Sequence, residues 1–163
     1  MNNIVFDYSI DLPNIINYTI HIDSKTNYRD KAYEIQKQID NYRIDYVPKD
    51  YGNILFLSKI EQLYPQLETF NYLASLQLFY SNNYQYFPTL QIVDMHGLYS
   101  QEMLDIFDIL YHIWYNNNLL TNIHIITGCG NHILHNKLKK YLKLWDIKFT
   151  IKNNYTIVIL HLY

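Results

Sequence analysis

Cysteine is almost missing from this 163-residue chain: Cys129 stands alone, which excludes a disulfide framework and any cysteine-rich zinc site and suits a reducing compartment. Arginine is nearly as scarce, with two residues and none after Arg43, so the usual arginine footprint of nucleic-acid binding is absent. Glycine and proline number four each, leaving few positions where the backbone is free of ordinary steric limits. No apolar run approaches the roughly 18 residues of a membrane span. The opening MNNIVFDYSIDLP carries Asp7 and Asp11, no basic region and no small-residue cleavage site, unlike a secretion signal. These absences predict an intracellular, cytoplasmic protein with no membrane partner.

What is present is a folding chain. Apolar residues make up 49%, aromatic residues 17% and charged residues 17%, enough apolar surface to offset the entropy of ordering. The length fits one globular unit or a small domain with an extension. The 23 Ile and 18 Asn against 2 Ala and 2 Arg read as mutational pressure rather than function, with Lys standing where Arg would serve. A formal net charge of −2 hides an uneven arrangement. Between Gln91 and Asp108 every ionised group is acidic (Asp94, Glu102, Asp105, Asp108), whereas from Asn136 onward six Lys face one acid, Asp146. Six of the seven His also follow residue 90.

Residues 4 to 22 read as two short strands about Leu12-Pro13-Asn14, the second alternating with period two. Tyr28, Ala32, Ile35, Ile39 and Tyr42 form one apolar stripe of a helix over 28 to 43. A second helical pattern runs from Ile54 to Phe79, with Pro65 expected to kink or divide it and Ser81-Asn82-Asn83 to end it. Phe87-Pro88 reads as a linker. Leu90 to Met95 is a strand, His96 to Tyr99 a turn, and Ser100 the N-cap of a helix ending at Asn116-Asn117-Asn118. Ile123 to Ile126 is a strand, Thr127 to Gly130 a tight loop, and Leu134, Leu138, Tyr141, Leu142 and Trp145 the buried face of the last helix. Lys148 to Ile151 and Thr156 to Leu162 are a hairpin pair through Asn153-Asn154, the last strand central because it is apolar on both faces. The fold class is α/β: a two-layer βαβαββ sandwich with a mixed sheet and a mostly helical N-terminal extension.

Three constellations can carry chemistry. Asp94 and His96 lie two apart at the C-terminal end of a strand, where open α/β sheets place ligands. An Asp accepting from one ring nitrogen sets the tautomer and leaves the other to act as base, acid or ligand, although an Asp capping a turn beside a backbone-bonded His has the same spelling. Thr127-Gly128-Cys129-Gly130, between a strand and a helix, can turn backbone N–H groups toward an anion such as a phosphodiester, or be a plain tight turn. No Gly-Lys-Ser/Thr follows, so it is not a triphosphate loop. A thiol-phosphatase reading of Cys129 lacks the Arg expected six residues on, where His135 stands. The third is the polar side of the last helix: Lys137 and Lys140, joined by His132 and His135, with Lys139 and Lys143 on a neighbouring track, where a nucleic-acid backbone could continue from the loop. Tyr99, Tyr115 and Tyr141 are candidates to stack on bases. His96, His132 and His135 with Asp94 are candidate ligands of a divalent ion, and loosely held Mg²⁺ or Mn²⁺ would come with substrate phosphates.

Read together, VDMHGLYSQEM and, about thirty residues later, IHIITGCGNH followed by a helix and a hairpin resemble the Smr (small MutS-related) domain over residues 88 to 163. That family carries a Leu-Asp-x-His-Gly signature and a downstream Thr/His-Gly-x-Gly loop. The stretch ILFLSKIEQLYPQLETFNYLASLQLFYSNN is similar to the helical extension preceding Smr domains in many eukaryotic members, with Pro65 as a departure. The expected domain organisation is N-terminal strands or an arm (1 to 26), a helical extension (27 to 87) and the Smr-like domain (88 to 163), with residues 1 to 50 resembling no family. The resemblance implies a fold like the C-terminal domain of translation initiation factor three. It also implies endonuclease activity, hydrolase chemistry on RNA or DNA that is single-stranded or nicked, and action on ribosomes in several members.

Carried over by position, Asp94 and His96 take the place of the catalytic pair, Gly97 closes that motif, Thr127, Gly128, Cys129 and Gly130 form the phosphate-facing loop, and His132 is the trailing histidine. Val93 replaces the usual Leu, and Cys129 stands where the family often has Lys or Arg. The function expected is an endonuclease preferring RNA, and the rival is a non-catalytic nucleic-acid or ribosome binding module. An enzyme for a small phosphorylated molecule is a third option.

Overall fold

The computed structural model describes residues 22–23, 25–44, 53–87, 90–117, 122–130, 132–152 and 157–162. The strands expected over 4 to 22 lie outside these residues, Ile22 excepted, as does the Asn153-Asn154 turn. The chain divides into two compact units, whose described residues lie before and from Leu78.

In the first unit, Asn27 starts α1 (Tyr28–Ile44) by accepting the Arg29 and Asp30 N–H groups at 3.1 and 3.2 Å. Tyr28, Ala32 and Ile39 of the expected stripe are buried, and Ile35 and Tyr42 half-buried. α2 (Asn53–Asn83) is one helix of 31 residues that continues through Pro65. The expected break does not occur. Glu61 and Pro65 are both exposed, so the Glu61 carbonyl that loses its N–H partner is open to water, and Thr69 Oγ1 donates to the Pro65 carbonyl at 2.8 Å. Gln77 donates to the Thr26 carbonyl at 2.9 Å, Lys31 lies 5.5 Å over Phe70, and Lys59 5.6 Å over Tyr42, so α1 and the matching length of α2 run antiparallel.

In the second unit the elements follow the order β1 (Ile92–Asp94), α3 (Ser100–Asn117), β2 (Asn122–Ile126), α4 (Ile133–Leu144), β3 (Phe149–Lys152) and β4 (Ile157–His161). The sheet order is β1-β2-β4-β3, with β1 and β2 parallel and the other pairs antiparallel. This is the expected βαβαββ mixed sheet, with β4 internal and its Val158, Ile159 and Leu160 buried. The core joins Val93, Ile123, Ile125, Val158 and Leu160 of the sheet to Met103, Phe107, Leu110 and Trp114 of α3 and Leu138 and Leu142 of α4.

Four local expectations are corrected. Leu90 takes a left-handed φ of 46° and β1 begins only at Ile92. Ser100 is the first residue of α3 rather than its cap; the Tyr99 carbonyl accepts the Met103 N–H, and the Glu102 carboxylate reaches back to the Tyr99 N–H at 2.9 Å. Trp145 is 63% exposed, because α4 ends at Leu144 and Trp145 turns out of its inward face. His135, expected on the polar side, is buried beside Leu138 and Leu142 because it sits three and seven residues before them on the same face.

β1 is an edge strand, and its outer edge is covered by a side chain. Asn83 is fully buried at the end of α2; its Oδ1 accepts the Asp94 N–H at 2.6 Å while its amide donates to the Asp94 carbonyl at 2.7 Å and the Phe79 carbonyl at 2.8 Å. One amide thus substitutes for a neighbouring strand. Asn83→Ala would leave these buried groups unmet at a cost of about 1–3 kcal/mol. Urea unfolding is expected to show a lower midpoint at unchanged slope; an unchanged midpoint would mean that the edge is satisfied otherwise.

Candidate nucleic-acid site at the strand ends

The parallel pairing of β1 and β2 sets two turns side by side. Asp94 is opposite Ile126, and the Met95 N–H donates to the Ile126 carbonyl at 2.8 Å, so the 96–99 turn and the 127–132 loop leave the same end of the sheet. Asp94 Oδ1 lies 2.7 Å from His96 Nδ1 and also accepts the His96 backbone N–H at 2.9 Å. The carboxylate therefore sets Nδ1 as the ring donor, and Nε2 is left to accept a proton. The Asp94 side chain is 19% exposed and that of His96 54%, so the anion is sheltered and the imidazole is open.

Gly128 brings the loop against that imidazole. A Cβ built on it would lie 3.2 Å from His96 Cβ, and its φ of +81° is one that side chains rarely adopt. Gly97 has φ +80°, and its Cβ would meet Leu78 at 3.3 Å. Gly130 differs: nothing lies within 4 Å of its Cβ position and its φ is ordinary, so the backbone need expected there is carried by Gly128. Thr127 is buried and Cys129 exposed. His132 is exposed in a left-handed φ of 58° at the N-cap of α4, with no side-chain cap bond.

Lys137 and Lys140 are exposed on α4 as expected, whereas His135 leaves that group for the core. Among the described residues no cluster of three or more His, Cys, Asp and Glu could hold a metal ion, so the candidate set of Asp94, His96, His132 and His135 does not assemble and Asp94 has no companion ligands to fit a resident Mg²⁺ or Mn²⁺. Tyr99 and Tyr115 are 62% and 61% exposed, but Tyr141 is half-buried with its hydroxyl donating to Asp108. Burial and that carboxylate push its pKa up to about 12.

Residue-type reasoning missed Asn82 and Asn83. Asn83 holds the Asp94 backbone and Asn82 donates to the His96 carbonyl at 2.9 Å. Their sequence signals are a place at a helix end, which spells a helix stop equally well, and a match to the helical extension that the chain resembles; neither marks a bond to the Asp94 backbone.

The fold and site define a mixed α/β sandwich presenting a His–Asp pair and a glycine turn at the ends of two parallel strands. Among solved structures, the solution structure of the B3BP Smr domain is similar to this chain at 22% identity and a TM-score of 0.44, over 57% of this chain and 96% of that one. No protein-family model and no curated protein matches the chain. Among the described residues no helix is long and apolar enough to cross a membrane.

Two outcomes follow from the geometry. Gly128→Ala should cost about 1–2 kcal/mol for the left-handed backbone and displace His96, read as a lower Tm with a shifted His96 ring signal by NMR; an unmoved signal would separate the loop from the pair. Burial, then Lys139 and His132, lower the His135 pKa from its ordinary 6.5. The folded protein then resists a proton that the unfolded chain accepts, so His135's contribution is complete above pH 6.5 and lost as pH falls below it. His135→Leu should flatten that part of the stability profile measured by urea titrations.

Proposed function

We propose that the second unit is an endonuclease acting on RNA in preference to DNA, with His96 as base and Asp94 as the residue that orients it. The observation that carries the reading is the 2.7 Å Asp94–His96 contact set against Gly128 at the ends of parallel strands. The resemblance of VDMHGLYSQEM and IHIITGCGNH to the Smr motifs supports it as well.

The chemistry suits RNA because a ribose 2′-hydroxyl is an internal nucleophile that one positioned imidazole can activate. His96 Nε2 takes the 2′-hydroxyl proton; the oxygen attacks phosphorus and the 5′-oxygen leaves, taking up a proton and giving a 2′,3′-cyclic phosphate. Thr127 to Gly130 border the scissile phosphate, and Lys137, Lys140 and His132 carry the flanking backbone. No step is routed through a metal. Cytoplasmic residence and action at the ribosome belong to the same proposal.

Cys129, in place of a basic loop residue, favours a second reading: a module that binds nucleic acid or a ribosome without cutting. End-labelled single-stranded RNA and matched DNA, incubated in EDTA and in Mg²⁺ or Mn²⁺, separate the two. RNA cleavage in EDTA with cyclic phosphate ends, reduced about 10²–10⁴-fold in Asp94→Ala/His96→Ala, is the expected outcome. Equal cleavage by a folded double variant would sink the nuclease reading, and retarded RNA without cleavage would establish the binding module.

A further inference from the structure

Trp145 is an anomaly that the cleavage site leaves unexplained. It is the C-cap residue of α4 and 63% exposed, next to Leu144, which is 78% exposed. Trp114, the other tryptophan, is 4% exposed in the core. Exposed indole is costly to hydrate and is usually retained where it meets something.

The ring is nonetheless held in place. Its backbone N–H donates to the Tyr141 carbonyl at 3.2 Å, and its ring centroid lies 6.2 Å from that of Tyr141. The Tyr141 hydroxyl donates to Asp108 on α3, so the ring beside Trp145 is itself fixed. Tyr141 is fixed further by Phe107, 5.8 Å away at 80° and fully buried. Trp145 thus lies beside a fixed ring while most of the residue remains exposed.

The charge of its helix selects the occupant. Lys137, Lys140 and Lys143 are exposed on the same short helix, Lys148 is exposed just beyond it, and Asp146 is the one acid from Asn136 onward. Lysine is depleted from the cores of protein interfaces, whereas a lysine track beside an aromatic face is how proteins hold an unpaired strand: phosphates on the ammonium groups, a base on the ring. A duplex has its base faces already stacked.

We infer that Trp145 is a stacking platform for an unpaired base, and that with the α4 lysines it makes the protein select single-stranded over double-stranded RNA. This rests on the nucleic-acid reading above and adds the residue that would read strandedness.

Fluorescence tests it without requiring cleavage, because Trp114 is buried and Trp145 is the tryptophan a ligand can reach. The protein is titrated at low salt with a twelve-nucleotide oligoadenylate and with its duplex with oligouridylate. Saturable quenching by the single strand, with little by the duplex, is expected. Trp145→Ala should bind the single strand about tenfold more weakly and the duplex unchanged, and Trp145→Phe should retain most of the affinity. Both variants change an exposed residue, and an unchanged Tm verifies that they fold.

Equal quenching by both probes, no quenching by either, or undiminished binding by Trp145→Ala overturns the platform. So does an emission change that follows protein concentration instead of RNA, which would assign the surface to a second copy of the chain. Quenching without cleavage would leave the platform standing and remove the nuclease, and cleavage without quenching the reverse.

Discussion

Everything at the candidate site hangs on one buried carboxamide. Asn83 closes the outer edge of β1 by bonding both backbone groups of Asp94, and its amide also holds the Phe79 carbonyl in the last turn of α2. A three-residue edge strand has little of its own to keep it straight, since only one side is paired. The amide supplies the second side at the residue whose carboxylate then orients His96. Asn82 repeats the arrangement one residue earlier, holding the His96 carbonyl. The end of a long helix thereby becomes part of the scaffold of a strand-end site.

From that anchor the electrostatics follow. Asp94 is sheltered and bonded to His96 through ring and backbone, so the imidazole is aimed by two contacts to one oxygen. Gly128 comes close enough that a methyl group would crowd His96. Parallel strands make this possible, because they bring both following turns to one end of the sheet. Two motifs about thirty residues apart thus become one surface.

On α4 a second polar contact serves a different purpose. Asp108 fixes Tyr141, whose ring lies beside both Trp145 and the buried Phe107, at the end of a helix that carries exposed lysines. The inward side is held by Leu138, Leu142 and a His135 whose pKa burial lowers.

Element types and their order were legible from periodicity alone: α1, the two crossover helices and the final hairpin all stand where apolar spacing places them, and the apolar run Ile157 to Leu160 did mark an internal strand. The Asp94-x-His96 spacing also read correctly as a pair able to meet, since the geometry is local. Where spacing failed, a third partner decided. Pro65 continues a helix because its side is open to water, His135 goes inward because α4 presents that face to the core, and Trp145 goes outward because the helix ends one residue before it. Asn83 is the clearest case: sequence determined an amide at a helix end, but only the tertiary fold put an unpaired strand edge against it. Local patterns settle which face is apolar and where a helix can stop; which polar group answers which is settled by elements distant in the chain, because a hydrogen bond depends on what packing brings within 3 Å.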